Sequence, residues 1–297
     1  MNTNLRLLMI IIVITFSFSC KEKPGSNFEV NGTIENIEKL ASQYPTLFRK
    51  DSLKVFLYEV PFGNELPPVQ LDSAYVTSKN NSFTLSANVQ HVGMIDVMLE
   101  NGPMIPLVND EKKVTVTIDL DNRDNFYSVK GSPASQQMRD FIMGYSEKSN
   151  AAELAFKNLD SLKLRSSSDS VLLGATNQKN SLLEAMNSYS KQFLSTVNHP
   201  VVAAFILGTS SATLPINELE TELNKQLQKY PSDQNLAFLK KQFDARKAQL
   251  AERDANMSQQ QQNSWVGKKA PQLTLPDPNG KDISLDAFRG KYVLVDF

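Results

Sequence analysis

The residues of this 297-residue chain that could act as nucleophile, redox group or metal ligand are few and scattered. Cys20 is its only cysteine, and His91 and His199 are its only histidines. A dithiol cycle takes one thiolate to attack a disulfide and a second sulfur to resolve the mixed disulfide, so Cys20 alone cannot run it. His199, just before Pro200, could bind a metal or act as a base. No second His or Cys lies near it to make a ligand set, so a helix-terminal or surface histidine is expected. His91 is read in the same way, at a strand edge. The run Asp121-Asn122-Arg123-Asp124-Asn125 could suggest calcium, yet it lacks the glycine and terminal glutamate of the calcium loop and reads as a solvated turn. Neither a Gly-rich phosphate loop nor a Gly-x-Ser-x-Gly elbow is present. The sequence therefore assigns no catalytic residue, no metal ligand and no cofactor to these 297 residues.

Composition sets the frame for the elements. Lys plus Arg number 31 and Asp plus Glu 32, with 41% hydrophobic residues, so no charge excess or basic aromatic patch points to nucleic acid. Strand and turn signals run from Phe28 to Lys130. Leu53 to Val60, Gln70 to Thr77, Ser82 to Asn88, Gly93 to Leu99 and Met104 to Val108 are rich in Val, Phe, Tyr and Thr. Glu100-Asn-Gly-Pro103 is a turn, and Lys113 to Asp119 alternates as a half-buried strand does. An antiparallel β-sandwich or meander follows for residues 28–131.

From Ser132 the period becomes helical. Ser132 can cap and Pro133 can take the first helical position, where its missing N–H costs nothing. Met138, Phe141, Ile142 and Tyr145 share one face. Leu182, Met186, Tyr189, Phe193 and Val197 form a second stripe ending near His199. Val201 to Leu207 reads as a buried segment, and Asn217 to Gln228 and Ser232 to Gln262 complete a helical region over 132–262. In the last helix Leu236, Leu239, Phe243 and Leu250 are expected to face inward. The fold class is multi-domain α+β: an N-terminal antiparallel β domain, a central helical region and a C-terminal α/β segment over 263–297.

That last segment has a pattern of its own. Gly267, Ala270 and Pro271 precede an alternating Leu273 and Leu275, a turn holds Asp277 and Gly280, and Ile283 and Leu285 follow. Phe288-Arg-Gly-Lys291 then leads into the apolar run Tyr292 to Phe297, interrupted by Asp296. The run reads as a strand buried on both faces, which needs neighbours and covering helices. Trp265, the sole tryptophan, is expected to pack at the start of this segment. The 31 residues from Gly267 to Phe297 fall below the roughly 40 that usually fold unaided.

These residues resemble the start of the thioredoxin-like thiol:disulfide oxidoreductases of bacterial envelopes, the group of the TlpA and ResA proteins that grades into the AhpC/TSA-related family. The resemblance implies a Trp and a Cys-x-x-Cys just after a strand matching Val293 to Phe297. Since the sequence ends first, it is expected to be a truncated, inactive member. The implied partners of the full form are periplasmic proteins bearing disulfides. The β region has its own resemblance, to the small domain of unknown function that precedes such thioredoxin-like domains. It rests on Phe28-x-Val-x-Gly32, Asp72-Ser-Ala-x-Val76, Asn80-Asn-Ser-Phe-Thr-Leu85, Asn101-Gly102 and Val129-Lys-Gly-Ser132.

The N-terminus completes the expectation. Arg6, the apolar stretch Leu7 to Phe16 and Ser17-Phe18-Ser19-Cys20 have a signal-peptide profile, and the apolar stretch is too short to span a bilayer. A small residue before cysteine resembles the lipobox of bacterial lipoproteins, with Ser17 and Phe18 departing from the usual motif. The resemblance makes residues 1–20 a lipoprotein signal and Cys20 the lipid attachment site. Residues 21–27 then form a tether, and the membrane, most simply the outer membrane facing the periplasm, is a partner through the lipid. The alternative is a non-catalytic envelope lipoprotein serving as a binding or scaffold module.

Overall fold

The computed structural model describes residues 27–39, 52–62, 66–122, 125–263, 267–269 and 272–294. Cys20 and its signal segment, Trp265, Ala270, Pro271, Asp124 and Val295 to Phe297 lie outside the described residues. The chain divides into two compact units, Met1–Lys241 and Gln242–Phe297.

In the first unit eight strands form two four-stranded sheets. They are β1 Phe28–Ile34, β2 Ser52–Val60, β3 Val69–Thr77, β4 Ser82–Ala87, β5 Met94–Leu99, β6 Met104–Val108, β7 Lys113–Ile118 and β8 Tyr127–Lys130. One sheet has the order β4-β1-β7-β8 and the other β3-β2-β5-β6. Antiparallel pairing prevails, as expected, with one exception: β1 and β7 run parallel, Val30 facing Val114 and Ile34 facing Ile118. The hairpins β2–β3, β5–β6 and β7–β8 are local and therefore antiparallel. The parallel pair joins strands far apart in sequence, which no local turn can dictate.

Alternation explains the core. Phe28, Val30 and Ile34 of β1, Leu53, Val55 and Leu57 of β2, and Ile95, Val97 and Leu99 of β5 are buried in one cluster. Val114, Val116 and Ile118 of β7 join it, so the two sheets pack face to face. Each such side chain contributes about 1.5–3 kcal/mol when fully removed from water. Gly32 faces inward by the same alternation, and the Phe83 ring of β4 lies across it. A Cβ there would come 1.9 Å from Phe83 Cζ. At Asn101 the β5–β6 turn adopts a left-handed φ of 57°, and Gly102 N–H donates to Leu99 O at 2.9 Å.

Asp72 gives one sequence motif a physical meaning. Its carboxylate accepts from Ser73 N–H and, at 2.8 Å, from Ser86 N–H of β4. It thus ties β3 of one sheet to β4 of the other, beside the irregularity where the β2–β3 register shifts at Leu57/Tyr58.

Five helices follow: α1 Pro133–Leu164, α2 Asp169–Thr196, α3 Pro200–Ser210, α4 Ile216–Lys229 and α5 Gln234–Asn263. Ser132 caps α1 by accepting from Ser135 N–H, with Pro133 in the first turn, as the sequence predicts. Gly131 precedes the cap with φ 88°, and a Cβ there would sit 2.8 Å from Lys113 O. Met138 and Phe141 are buried. Phe141 stacks on Tyr189 of α2 at 5.8 Å and meets Phe193 and Phe205 edge-on. α3 is the most buried helix, with Val202, Ala203, Ala204 and Ile206 inaccessible. Leu236 and Phe243 of α5 are buried as expected. Leu250 instead is 37% exposed, because from Asp244 through Gln259 every residue of α5 is exposed.

The second unit holds the larger part of α5 and a hairpin. Its strands β9 Thr274–Pro276 and β10 Asp282–Ser284 pair antiparallel, Leu275 opposite Ile283. A 3-10 turn at Leu285–Phe288 follows, capped by Ser284. Tyr292 to Leu294, the described part of the run read as a strand in need of neighbours, form no strand, and Leu294 is 96% exposed.

Candidate functional site

The junction between sheets and helices concentrates the polar chemistry of the first unit. At the end of β6, Ser135 Oγ accepts from Val108 N–H at 2.8 Å and lies 3.1 Å from Val108 O. Ser132 Oγ donates to Asp110 Oδ1 at 2.5 Å, while Asp110 Oδ2 accepts from Ala134 N–H. Along the edge strand β8, Gln136 Nε2 donates to Val129 O and Arg139 Nε to Tyr127 O, both at 3.1 Å. Arg139 also reaches the Asn125 side chain. The first two turns of α1 thereby satisfy backbone groups that an edge strand would otherwise leave open.

His199 belongs to the same junction. It is the N-cap of α3, with Nδ1 accepting from Val201 N–H at 3.3 Å, so that lone pair is already used. Burial holds its pKa below the ordinary histidine value, opposed by the charges of Asp110 and Asp233. His91 is exposed in the loop before β5, and its carbonyl accepts from Asn109 Nδ2. Asp121 is paired with Lys39 at 2.6 Å. No group of three His, Cys, Asp or Glu suited to a metal occurs among the described residues.

Asp96 is not among the residues that the sequence reading singles out. It stands on β5 between the core residues Ile95 and Val97, so alternation turns it to the opposite face, level with Tyr58 and Pro106. It is nevertheless only 3% exposed, and its Oδ1 has no hydrogen-bond partner among the described residues. Burial raises its pKa to about 6. Tyr127 Oη is likewise buried and unpartnered. Burial raises that phenol too, with a smaller upward push from Asp96. A signal was available only in the pattern, since a charged residue inside Met94-Ile-Asp-Val-Met-Leu99 breaks an otherwise apolar strand.

A cleft of about 490 Å³ runs between α2 and α4, lined by Lys191, Lys225, Lys229, Ser195 and Gln226. Its lysines are engaged: Lys191 with Glu218 at 2.5 Å, Lys225 with Glu222 at 2.8 Å, and Lys229 with Val197 O. Gln226 Nε2 and Tyr230 Oη donate to Leu194 O and Val197 O at the C-terminal end of α2. The cleft is therefore a helix-end clamp.

In the second unit the candidate is the hairpin. Leu273, Leu275, Ile283 and Phe288 line an apolar depression of about 440 Å³ together with Leu285 and Leu294. Asp277 closes the turn by accepting from Asn279 and Lys281 N–H.

The profile of a family described as a domain of unknown function (DUF4369) matches residues 28–138. That span contains all eight strands of the sandwich and the first residues of α1, including the Ser132, Ser135 and Gln136 contacts. Among the curated proteins no match was found, and none among the solved structures.

Proposed function

We propose that this chain is the lipid-anchored part of an envelope thioredoxin-like thiol:disulfide oxidoreductase, carrying the opening segment of the thioredoxin-like domain but not its redox-active Cys-x-x-Cys. What supports the reading most directly is the order of elements from Thr274 to Lys291. A short strand, an Asp277–Gly280 turn, a second strand, a capped 3-10 turn at Leu285–Phe288 and Gly290 with φ 81° follow the sequence pattern of the thioredoxin-like group. The apolar depression on this hairpin is the kind of surface that the rest of such a domain would cover. Disulfide exchange itself requires a Cys-x-x-Cys pair, which these 297 residues do not contain.

In this role Cys20 carries the lipid, and the sandwich and its helices lie between it and the thioredoxin-like segment in the sequence. The test is made on the protein purified from its native membranes. Reduction of insulin disulfides that is abolished by alkylating a cysteine pair supports the reading. A native protein whose only cysteine is Cys20, and which is inert towards insulin, overturns it. The anchor is tested separately: Cys20→Ser should move the protein from the detergent phase to the soluble fraction.

A second reading is a non-catalytic envelope lipoprotein that binds a partner. It is favoured by the structural use of the ionisable groups at the junction, where His199 and Asp110 cap helices. Inertness towards insulin together with retained anchoring would select it.

A further inference from the structure

Among the ionisable groups of the first unit, His199 is placed so that its protonation state and its structural task are mutually exclusive. Capping of α3 uses the lone pair of Nδ1 as acceptor for Val201 N–H. A protonated imidazole has no such lone pair, and its positive charge would stand at the positive end of the helix dipole. The helix it caps is the one whose side chains are inaccessible almost throughout, and Phe205 of that helix packs edge-on against Phe141 of α1. We propose that His199 is a pH-sensitive latch: neutral, it holds the N-terminus of α3 in the helical layer, and protonated in mild acid it releases that cap and loosens α3.

The surrounding groups fit such a device. Asp110, in the turn after β6, and Asp233, before α5, are the acids whose charges act on the ring. Both are committed as acceptors, Asp110 to Ser132 and Ala134 N–H and Asp233 to Leu236 N–H. From α4, Lys229 and Tyr230 reach Val197 O just before the histidine. From α1, the neutral Gln137 accepts from Asn198 N–H. The acids soften the protonation without replacing the lost acceptor, since neither is bonded to Val201 N–H.

Sign follows from burial. The folded-state pKa lies below the ordinary histidine value, so the stabilisation is complete above that value and is lost as pH falls through the folded pKa. Loss of a cap corresponds to about a fivefold change in a local opening equilibrium.

The experiment is amide hydrogen exchange of the full chain, corrected for intrinsic rates, at pH 7.5 and pH 5, with the two histidine rings followed by NMR over the same range. Protection of the α3 amides should fall about fivefold in step with titration of His199. His91→Asn should behave as the parent, whereas His199→Asn, which caps without titrating, should keep α3 protected at both pH values. Unchanged α3 protection in the parent while His199 titrates overturns the latch, and so does an equal loss in His199→Asn. Should that variant fail to fold, the parent's ring titration and α3 protection decide the matter by themselves.

Discussion

Along β1, β2, β5 and β7 the apolar side chains that alternate with polar ones are sealed between two sheets. Along β9 and β10 the same alternation leaves Leu275 57% exposed, with Leu273 and Ile283 also open to solvent. The two regions share pattern and hydrogen-bonded pairing and differ in layers. A lone two-stranded hairpin offers nothing for its apolar face to pack on and is marginal in water. Eight strands in two sheets remove water from the two facing surfaces at once, and α1 closes the edges at β6 and β8. Alternation thus selects the strand, and a second layer is what makes it stable.

Truncation in each region gives the sharpest test. Leu57→Ala, in the inaccessible core, should cost about 2–5 kcal/mol in urea unfolding followed by circular dichroism. A loss below about 1 kcal/mol would mean that the sandwich is loosely packed.

Next comes Asp96, the polar residue inside the well-packed region. Its folded pKa of about 6 lies above the ordinary 3.8, so the folded state favours the neutral acid. Its contribution is fully present below pH 3.8 and disappears as pH rises through about 6. The difference is on the order of 3 kcal/mol at most. Asp96→Asn should raise the stability at pH 7 and flatten its dependence between pH 5 and pH 7. A parent protein with pH-independent stability over that range, His199→Asn being used to remove the opposing histidine, would show that the carboxyl is solvated.

Gly32→Ala places a methyl group against the Phe83 ring and should cost about 1–3 kcal/mol. Phe83→Leu in the same chain should recover part of that loss, since it removes the obstructing ring. An equal cost in both backgrounds would locate the effect in the backbone instead.

The smallest effect belongs to the hairpin. Leu275→Ser should leave the thermal midpoint of unfolding unchanged, because its side chain is already in water. A clear drop in the midpoint would show that something covers the hairpin in solution and would dissolve the contrast with the sandwich.

Much of this architecture was legible in the residues. Strands at Leu53 to Val60 and Lys113 to Asp119, the Asn101 turn, the Ser132-Pro133 helix start and the buried Val201 to Leu207 segment all follow from local rules of period, capping and turn chemistry. Leu250 continues the apolar spacing of Leu236 and Phe243 and is nevertheless exposed, since spacing says nothing of where the neighbouring layer ends. The role of His199 was half legible: a helical stripe ends near it, which makes it helix-terminal, but the cap of the next helix, the acceptor bond to Val201 and the nearby acids require the fold. Asp96 shows the same limit, since a strand sequence does not tell which of its faces is covered.

By itself the sequence determined the α+β class, the change from strand to helix at Ser132, and a single cysteine that excludes a dithiol cycle within these residues. Those are properties of local dihedral preference, periodicity and elemental chemistry, and they need no partner. Only the tertiary structure decided the parallel pairing of β1 with β7, the use of Gly32 to admit the Phe83 ring, the clamp of α1 on both sheet edges and the burial of Asp96. Each depends on groups distant in the chain meeting at one place, and such contacts are set by how whole layers exclude water from one another.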